Sequence, residues 1–253
     1  MKNSNNTNSR RGFLKEAILA AGILPFSLDS DSAEQGISKK KIVVVGGHPD
    51  DPESGCGGTL AKYSKAGHDI TIIYLTTGEA GITGKTHAEA ASIRKAEAVN
   101  ACKILNAKPV FAGQIDGDTI VNSEWLKKMR ELIALEKPDI VFTHWPIDSH
   151  KDHQAASFLT IQAWIHSLKS FQLYFFEVMT GDQSAGFTPT DYVEIEATQE
   201  LKRKAVFCHV SQDPDGIYTA SHGAMENFRG REINAKAAEG FVRVTGKRSS
   251  GII

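Results

Sequence analysis

The sequence lacks a disulfide framework and any large excess of charge. Only three of its 253 residues are cysteines, Cys56, Cys102 and Cys208, at spacings that match neither paired disulfides nor a cysteine-based zinc site. The 29 Lys and Arg residues nearly balance the 30 Asp and Glu residues, so the formal net charge is -1. No global field therefore attracts nucleic acid or an anionic membrane. We expect the cysteines to be small, neutral and mostly buried.

Long apolar runs are also scarce, and the one at the N-terminus, residues 17–28, is shorter than the roughly 20 residues that span a bilayer. It follows Ser9-Arg10-Arg11-Gly12-Phe13-Leu14-Lys15, a pattern typical of a twin-arginine export signal. An amphipathic N-terminal helix is the alternative. We predict that residues 1–35 form the signal segment, and that the mature chain, 36–253, is one exported, periplasmic or extracytoplasmic domain without a membrane span.

Short β-branched runs alternate with longer helical stretches along the mature chain. With 41% hydrophobic and 23% charged residues, this alternation predicts an α/β fold, a Rossmann-like three-layer sandwich with a mostly parallel sheet. The pattern predicts strands at 41–45, 70–75, 109–111, 139–143, 173–178 and 192–195, and helices at 57–66, 88–105, 124–136 and 152–168. Loops are expected at 81–87, 181–189 and 213–230, where Gly, Ser and Thr recur.

Histidines and carboxylates follow two of the predicted strands directly. Gly47-His48-Pro49-Asp50-Asp51 comes after the first strand, and His144 to His153 comes after the strand at 139–143. Ligands of open α/β sheets bind at the carboxyl ends of the strands, so these segments are expected to meet in one crevice.

The spacing of these residues predicts a metal site. His48 and Asp51 are three residues apart in a turn, and His150-Lys151-Asp152-His153 offers a third ligand at the start of a helix. Two histidines and one carboxylate, with one position left for water, are typical of a catalytic zinc site. Either segment alone is explained equally well by a polar turn and a helix cap.

Asp50 is predicted to be the general base, because it lies between two ligands and can take a proton from a zinc-bound water. A protonated His150 would stabilise the oxyanion and donate a proton to a leaving amine. His144 is expected to line the site or to pack behind it. Three other histidines, His68, His87 and His166, are expected to be surface or hydrogen-bonded residues.

With these motifs the chain resembles the PIG-L/LmbE family of zinc-dependent N-acetylglucosaminyl deacetylases. The resemblance starts at Gly-His-Pro-Asp-Asp-Pro-Glu (47–53) and spans about residues 40–240. It continues, in family order, through Thr77 to Gly81, Arg94 with Glu97, Asp116-Gly117, Pro146 to His153, and Lys202-x-x-Ala205 leading to His209-Val210-Ser211-Gln212.

The resemblance implies a single deacetylase domain over 36–253 that binds one zinc ion through His48, Asp51 and His153. It implies Asp50 and His150 as catalytic residues, and Arg94 and Asp116 as contacts to sugar hydroxyls. Glu79 is a further substrate-site residue, expected to hold the loop at the site mouth. The alternative for Arg94 is a solvated helix charge paired with Glu97. His209, Gln212 and His222 have no role that the sequence assigns.

The predicted function is zinc-dependent removal of an N-acetyl group from an amino sugar or glycoconjugate. The partner is then a small carbohydrate, with no nucleic acid, and a homo-oligomer is allowed. Three alternatives stay open: an amidase or de-N-acylase for a non-sugar or thiol conjugate, a non-catalytic sugar-binding module, and a non-haem iron oxygenase with the same ligand types. The last usually has an all-β scaffold, unlike this pattern.

Overall fold

The computed structural model describes residues 38–179 and 183–244, which belong to one compact unit, Ser38–Ile253. The predicted signal segment, residues 1–35, lies outside the described residues. Across the described ranges, no helix combines the length and the apolarity needed to cross a bilayer.

Strands and helices alternate over most of the described chain, as the sequence predicts. The strands are β1 (Lys41–Gly46), β2 (Asp69–Tyr74), β3 (Ala107–Phe111), β4 (Ile140–His144), β5 (Gln172–Phe176), β6 (Asp191–Glu194) and β7 (Ala238–Arg243). The helices are α1 (Asp51–Lys65), α2 (His87–Leu105), α3 (Ser123–Glu136), α4 (Lys151–His166), α5 (Gln199–Val206), α6 (Pro214–Ile217) and α7 (Gly223–Glu232). A 3-10 turn, Val210–Gln212, and a π turn, Tyr218–His222, join the last helices.

The strands form one seven-stranded sheet in the order β3-β2-β1-β4-β5-β7-β6. The first five strands are parallel, whereas β7 runs antiparallel to both of its neighbours. Alternate residues of β1 enter two separate cores, one shared with α1, α2 and α5 and the other with α3 and α4. The predicted three-layer α/β fold is thus confirmed, and the switch in strand order lies between β1 and β4.

Helix α1 begins six residues earlier than the sequence predicts, at Asp51 instead of Gly57. It crosses glycines that are poor helix formers and has a kink with non-helical angles at Cys56. The glycines are needed for close packing: a Cβ on Gly58 would lie 2.7 Å from the Ile195 side chain, and one on Gly55 would overlap Phe176. Tertiary contact therefore overrides the local preference.

The prediction of a loop over 213–230 is wrong. This segment contains α6, the π turn and most of α7, and the sequence pattern also missed α5 and β7. Because this segment has glycines at three positions and few apolar residues, its sequence shows no apolar repeat that would predict helices. They are held by buried charge pairs instead: Arg229 makes two hydrogen bonds of 2.6 and 2.8 Å to Glu177, and Glu226 lies 2.9 Å from Lys202.

A buried ammonium group joins this C-terminal region to α1. Lys202 is 2% exposed, and its Nζ lies 2.9 Å from Glu226 and 2.8 Å from Glu239. Burial opposes the charged form, but the two carboxylates outweigh it and raise the pKa of Lys202. Glu239 in turn accepts hydrogen bonds from the backbone N–H groups of Gly58 and Thr59, just past the kink in α1.

We expect Lys202→Met to lower the free energy of unfolding by about 3–5 kcal/mol, because two carboxylates would be left buried without their counter-charge. Urea unfolding followed by circular dichroism measures the change.

Lys204→Met is the matched control, since Lys204 is exposed and lies 4.0 Å from Glu200. Its effect should stay within about 0.5 kcal/mol. Equal stability of the two variants would contradict a stabilising role for the buried ammonium.

Candidate metal centre and active-site cleft

The predicted ligands lie at the switch in strand order, where β1 and β4 end side by side. The turn after β1 carries His48 and leads into α1 at Asp51, and a loop after β4 leads into α4, where His153 occupies the first turn. The N-terminus of α4 is capped by His150, whose Nδ1 accepts a hydrogen bond of 3.3 Å from Asp152 N. Two loops distant in sequence therefore supply one site.

The donor atoms of the three predicted ligands lie within hydrogen-bond range of one another. His48 Nδ1 is 3.2 Å from Asp51 Oδ2, and His153 Nε2 is 3.3 Å from both Asp51 Oδ1 and His48 Nδ1. All three side chains are buried. Two imidazole nitrogens and a carboxylate that converge in this way suit a divalent metal ion, and their chemistry fits zinc.

Both histidines have a carboxylate partner on the nitrogen that faces away from the centre. His153 Nδ1 is 3.1 Å from Asp148 Oδ1, and His48 Nε2 is 3.1 Å from Asp116 Oδ1 and from Asp152 Oδ2. Such partners orient a metal-binding imidazole and make it a better ligand. This arrangement is a second observation in favour of a metal centre.

His144 lies beneath the site, as a packing residue would. It is fully buried, its ring stacks on His153 with centroids 4.0 Å apart, and its Nε2 accepts a hydrogen bond of 3.0 Å from Gly47 N. Burial lowers the pKa of His144 to about 4, so it is neutral at neutral pH. Its Nε2 is also 3.3 Å from Asp51 Oδ2, which makes a second metal-binding group of Asp51, His144 and His153 geometrically feasible.

Asp50 adopts an unusual backbone conformation next to these ligands. Its φ is 104°, in a region that non-glycine residues rarely occupy and that costs of order 1–3 kcal/mol. Both Asp50 and the following Asp51 line the cleft in this conformation. Burial raises the pKa of Asp50, and the Arg94 guanidinium lowers it. Burial is the larger effect, so the carboxylate is more basic than an ordinary aspartate.

Arg94 is buried, so the alternative of a solvated charge paired with Glu97 is wrong. Its guanidinium donates to Asp50 Oδ2 at 3.1 Å and to the carbonyl oxygens of Pro49 and Gly78 at 2.5 and 3.2 Å. Glu97 accepts hydrogen bonds from Ser211 instead. Arg94 therefore holds the Asp50 turn in addition to lining the cleft.

Asp116 and Glu79 lie together at the mouth of the cleft. Asp116 Oδ2 accepts a hydrogen bond of 3.0 Å from Ala80 N, and Glu79 accepts one of 3.1 Å from Asp116 N and one of 2.6 Å from the Thr77 hydroxyl. Asp116 lines the cleft, whereas the described lining does not include Glu79. Glu79 therefore joins two loops at the mouth rather than facing the cleft.

His150 lies on the wall of the cleft next to the candidate metal ligands, His48, Asp51 and His153. Its ring meets that of His48 edge to face, with centroids 4.6 Å apart, and the half-buried side chain lines the cleft. Burial and the neighbouring His48 and His153 lower the pKa of His150, which favours the neutral imidazole over the protonated form expected from the sequence. The cleft has a volume of about 390 Å³, and its other polar lining includes Asp50, Arg94, Asp116 and Gln212.

Comparisons with known proteins bear on this geometry. The family model described as "PIG-L: GlcNAc-PI de-N-acetylase" matches residues 43–164, which include both loops of the site. Diacetylchitobiose deacetylase of Thermococcus kodakarensis is 32% identical over 196 residues, which are 71% of this chain and 72% of that protein. The chain belongs to the PIG-L family.

Two further relatives, a deacetylase and a hydratase, are similar to this chain over most of its length. The crystal structure of N,N'-diacetylchitobiose deacetylase from Pyrococcus horikoshii superposes with a TM-score of 0.72 at 27% identity, covering 83% of this chain and 85% of that one. The 4-oxalmesaconate hydratase of Pseudomonas putida is 24% identical over 194 residues, 69% of this chain and 75% of that protein. The relatives of this chain thus include deacetylases and a hydratase.

The sequence did not point to Asp148 and Asp152 as partners of the candidate ligands in this PIG-L protein. Asp152 is fully buried and also accepts hydrogen bonds of 2.7 Å from Gly117 N and the Thr119 hydroxyl, so it connects the β3 loop to α4. A carboxylate directly before His153 was visible in the sequence. Its contact with His48 was not, because the two residues are 104 positions apart.

We expect Asp148→Asn to weaken zinc binding by about ten- to a hundredfold, because the amide no longer supplies a negative charge to the outer nitrogen of His153. The purified protein is reloaded with zinc, and competition with a chromogenic chelator measures its dissociation constant for zinc.

Asp215→Asn, on the exposed surface of α6, is the matched control and should bind zinc as the unaltered chain does. His153→Ala should lose stoichiometric zinc. Retained zinc in His153→Ala would remove this histidine from the ligand set.

Proposed function

We propose that the protein is a zinc-dependent hydrolase that removes an N-acetyl group from an amino sugar or glycoconjugate. The observation that supports this most directly is the convergence of His48, Asp51 and His153 beside the carboxylate of Asp50. A non-catalytic sugar-binding domain has no need of a basic carboxylate held in a strained turn beside a metal-binding group.

One zinc ion held by His48, Asp51 and His153 would supply a Lewis acid that lowers the pKa of water and polarises an amide carbonyl. Asp51 is suited to this task. Burial by itself would raise its pKa, but the neighbouring histidines, His153 foremost, lower it well below the ordinary value, so the carboxylate is ionised.

Asp50 is the proposed general base. Its carboxylate accepts a proton from the attacking water, and the hydrogen bond from Arg94 keeps the carboxylate in place. The lowered pKa of His150 favours the neutral imidazole, so the proton that Asp50 takes from the water is proposed to pass to His150. His150 then donates this proton to the amine nitrogen as the C–N bond breaks. Water adds its oxygen to the acyl carbon and its two protons end on the amine side, so the products are acetate and a free amine.

The sugar is proposed to occupy the polar cleft. Asp116 and Arg94 present a carboxylate and a guanidinium at its walls, and hydroxyl groups pair with both. Glu79 contributes by holding the Asp116 loop, through its hydrogen bond to Asp116 N. With the twin-arginine-type segment at 1–35, we propose that this reaction takes place outside the cytoplasm.

A hydratase is the second candidate, favoured by the similarity to the Pseudomonas putida enzyme. Both reactions activate water, so the metal-binding residues do not separate them. Acetate release from a panel of N-acetyl amino sugars, free and conjugated, measured beside hydration of 4-oxalmesaconate, decides between the two. Binding of N-acetyl sugars with turnover of neither substrate class would favour a binding module.

We expect Asp50→Asn to keep the fold and the zinc while lowering kcat for acetate release by about 10²–10⁴-fold, because the amide cannot accept the proton of water. Zinc content and circular dichroism are measured on the same preparation.

Asp118→Asn is the control, because Asp118 is exposed and the described lining of the cleft does not include it. Its kcat should match that of the unaltered enzyme. An Asp50→Asn activity within tenfold of that value would refute the base assignment.

A further inference from the structure

A second cavity adjoins the polar cleft on the side of α5 and α6. Its volume is about 140 Å³, and it shares Asp50, Asp51, Gln183 and Gln212 with the cleft. Most of the remaining wall of the cavity is apolar and consists of Val178, Met179, Val206, Pro214 and Ile217; Ser54, His209 and His222 complete it. We call it the apolar cavity. Apart from Ser54, these wall residues lie beyond residues 43–164, the range that the family model matches.

Two buried histidines add polar atoms to this cavity. His209 is 1% exposed and His222 is 2% exposed, and Nδ1 of each has no hydrogen-bond partner among the described residues. A buried polar atom left unpaired costs about 1–3 kcal/mol. A ligand that brings a carbonyl or carboxylate oxygen into the cavity can supply the missing hydrogen bonds.

The position of His150 decides which part of a substrate each cavity receives. His150 lines the polar cleft but is not part of the described lining of the apolar cavity. The amine must leave next to its proton donor, so the amino sugar lies in the polar cleft. Asp50 and Asp51 line both spaces, so an acyl carbon attacked there would direct its substituent away from the amine, toward the apolar cavity.

The size of the apolar cavity exceeds what an acetyl group needs. An apolar cavity of about 150 Å³ in another protein holds a benzene molecule, which has six carbons. An acetyl group would place a single methyl there and leave most of the apolar wall uncovered. The cavity therefore suits an acyl group of about four to six carbons.

We propose that the apolar cavity is an acyl-chain site, and that the enzyme hydrolyses N-butanoyl and N-hexanoyl amino sugars better than the N-acetyl compounds. This rests on the proposed function, the hydrolysis of N-acyl amino sugars in the polar cleft. Apolar side chains contact the chain, and the imidazoles of His209 and His222 are available to the oxygen atoms of the acyl group and of the released acid.

The experiment compares N-acetyl-, N-butanoyl-, N-hexanoyl- and N-decanoylglucosamine as substrates of the zinc-loaded enzyme, with release of glucosamine as the readout. We expect kcat/KM to rise roughly three- to fivefold per added methylene up to hexanoyl. It should fall at decanoyl, since that chain exceeds the cavity. Calorimetric binding to Asp50→Asn, which turns substrate over slowly, should show the same order of affinity.

Larger side chains in the cavity wall test its assignment. Val206→Phe fills the cavity from α5, and Ile217→Phe fills it from α6, where the native side chain is 36% exposed and a larger ring disturbs packing less. Each should lower the ratio of hexanoyl to acetyl kcat/KM at least tenfold. Val210→Phe is the matched control, because Val210 is 73% exposed and lies outside the described lining, so its profile should be unchanged.

The outcomes separate the two proposals. Hydrolysis of N-acetylglucosamine with at least tenfold slower hydrolysis of the longer amides overturns the acyl-chain site and leaves the proposed function intact. A chain-length profile that the two filling variants leave unchanged also overturns the site. Failure to hydrolyse any N-acyl amino sugar overturns the proposed function and, with it, the inference.

Discussion

The carboxylate of Asp51 is the charge on which the site depends. Its two oxygens lie within 3.3 Å of ring nitrogens from three histidines, His48, His144 and His153, and it also accepts the backbone N–H of His48 at 2.7 Å. A buried carboxylate without such partners would be neutral or would destabilise the fold. These contacts therefore bring the end of β1, the end of β4 and the start of α4 to one point.

The C-terminal third of the chain supports that carboxylate from a distance. Asp51 begins α1, and α1 is held past its kink by Glu239 on β7, which is paired in turn with Lys202 on α5. The same region supplies Val206 and Ile217, which wall the apolar cavity. Stability of α1 and the shape of the cavity beside the metal-binding group are thus linked through α5.

The chain belongs to the PIG-L family, but its reaction depends on the side chains around the candidate metal ligands, which family membership does not specify. The residues that could hold a metal ion adjoin a polar cleft and, at Asp50 and Asp51, an apolar cavity. A deacetylase and a hydratase are both among the relatives. The groups that select a substrate lie on the walls, mostly on loops and on the helices that follow β5.

The sequence alone determined the α/β class, the first six strands and the two motifs whose residues meet at the site, because local periodicity and strand-end position carry that information. It did not reveal α5, α7 or β7, which depend on buried ion pairs, nor the early start of α1, whose glycines fit against Phe176 and Ile195. Contacts such as Asp152 with His48 and Arg94 with Asp50 were decided by the tertiary structure. They join residues more than forty positions apart, and no local pattern encodes which distant side chain will neutralise a buried charge.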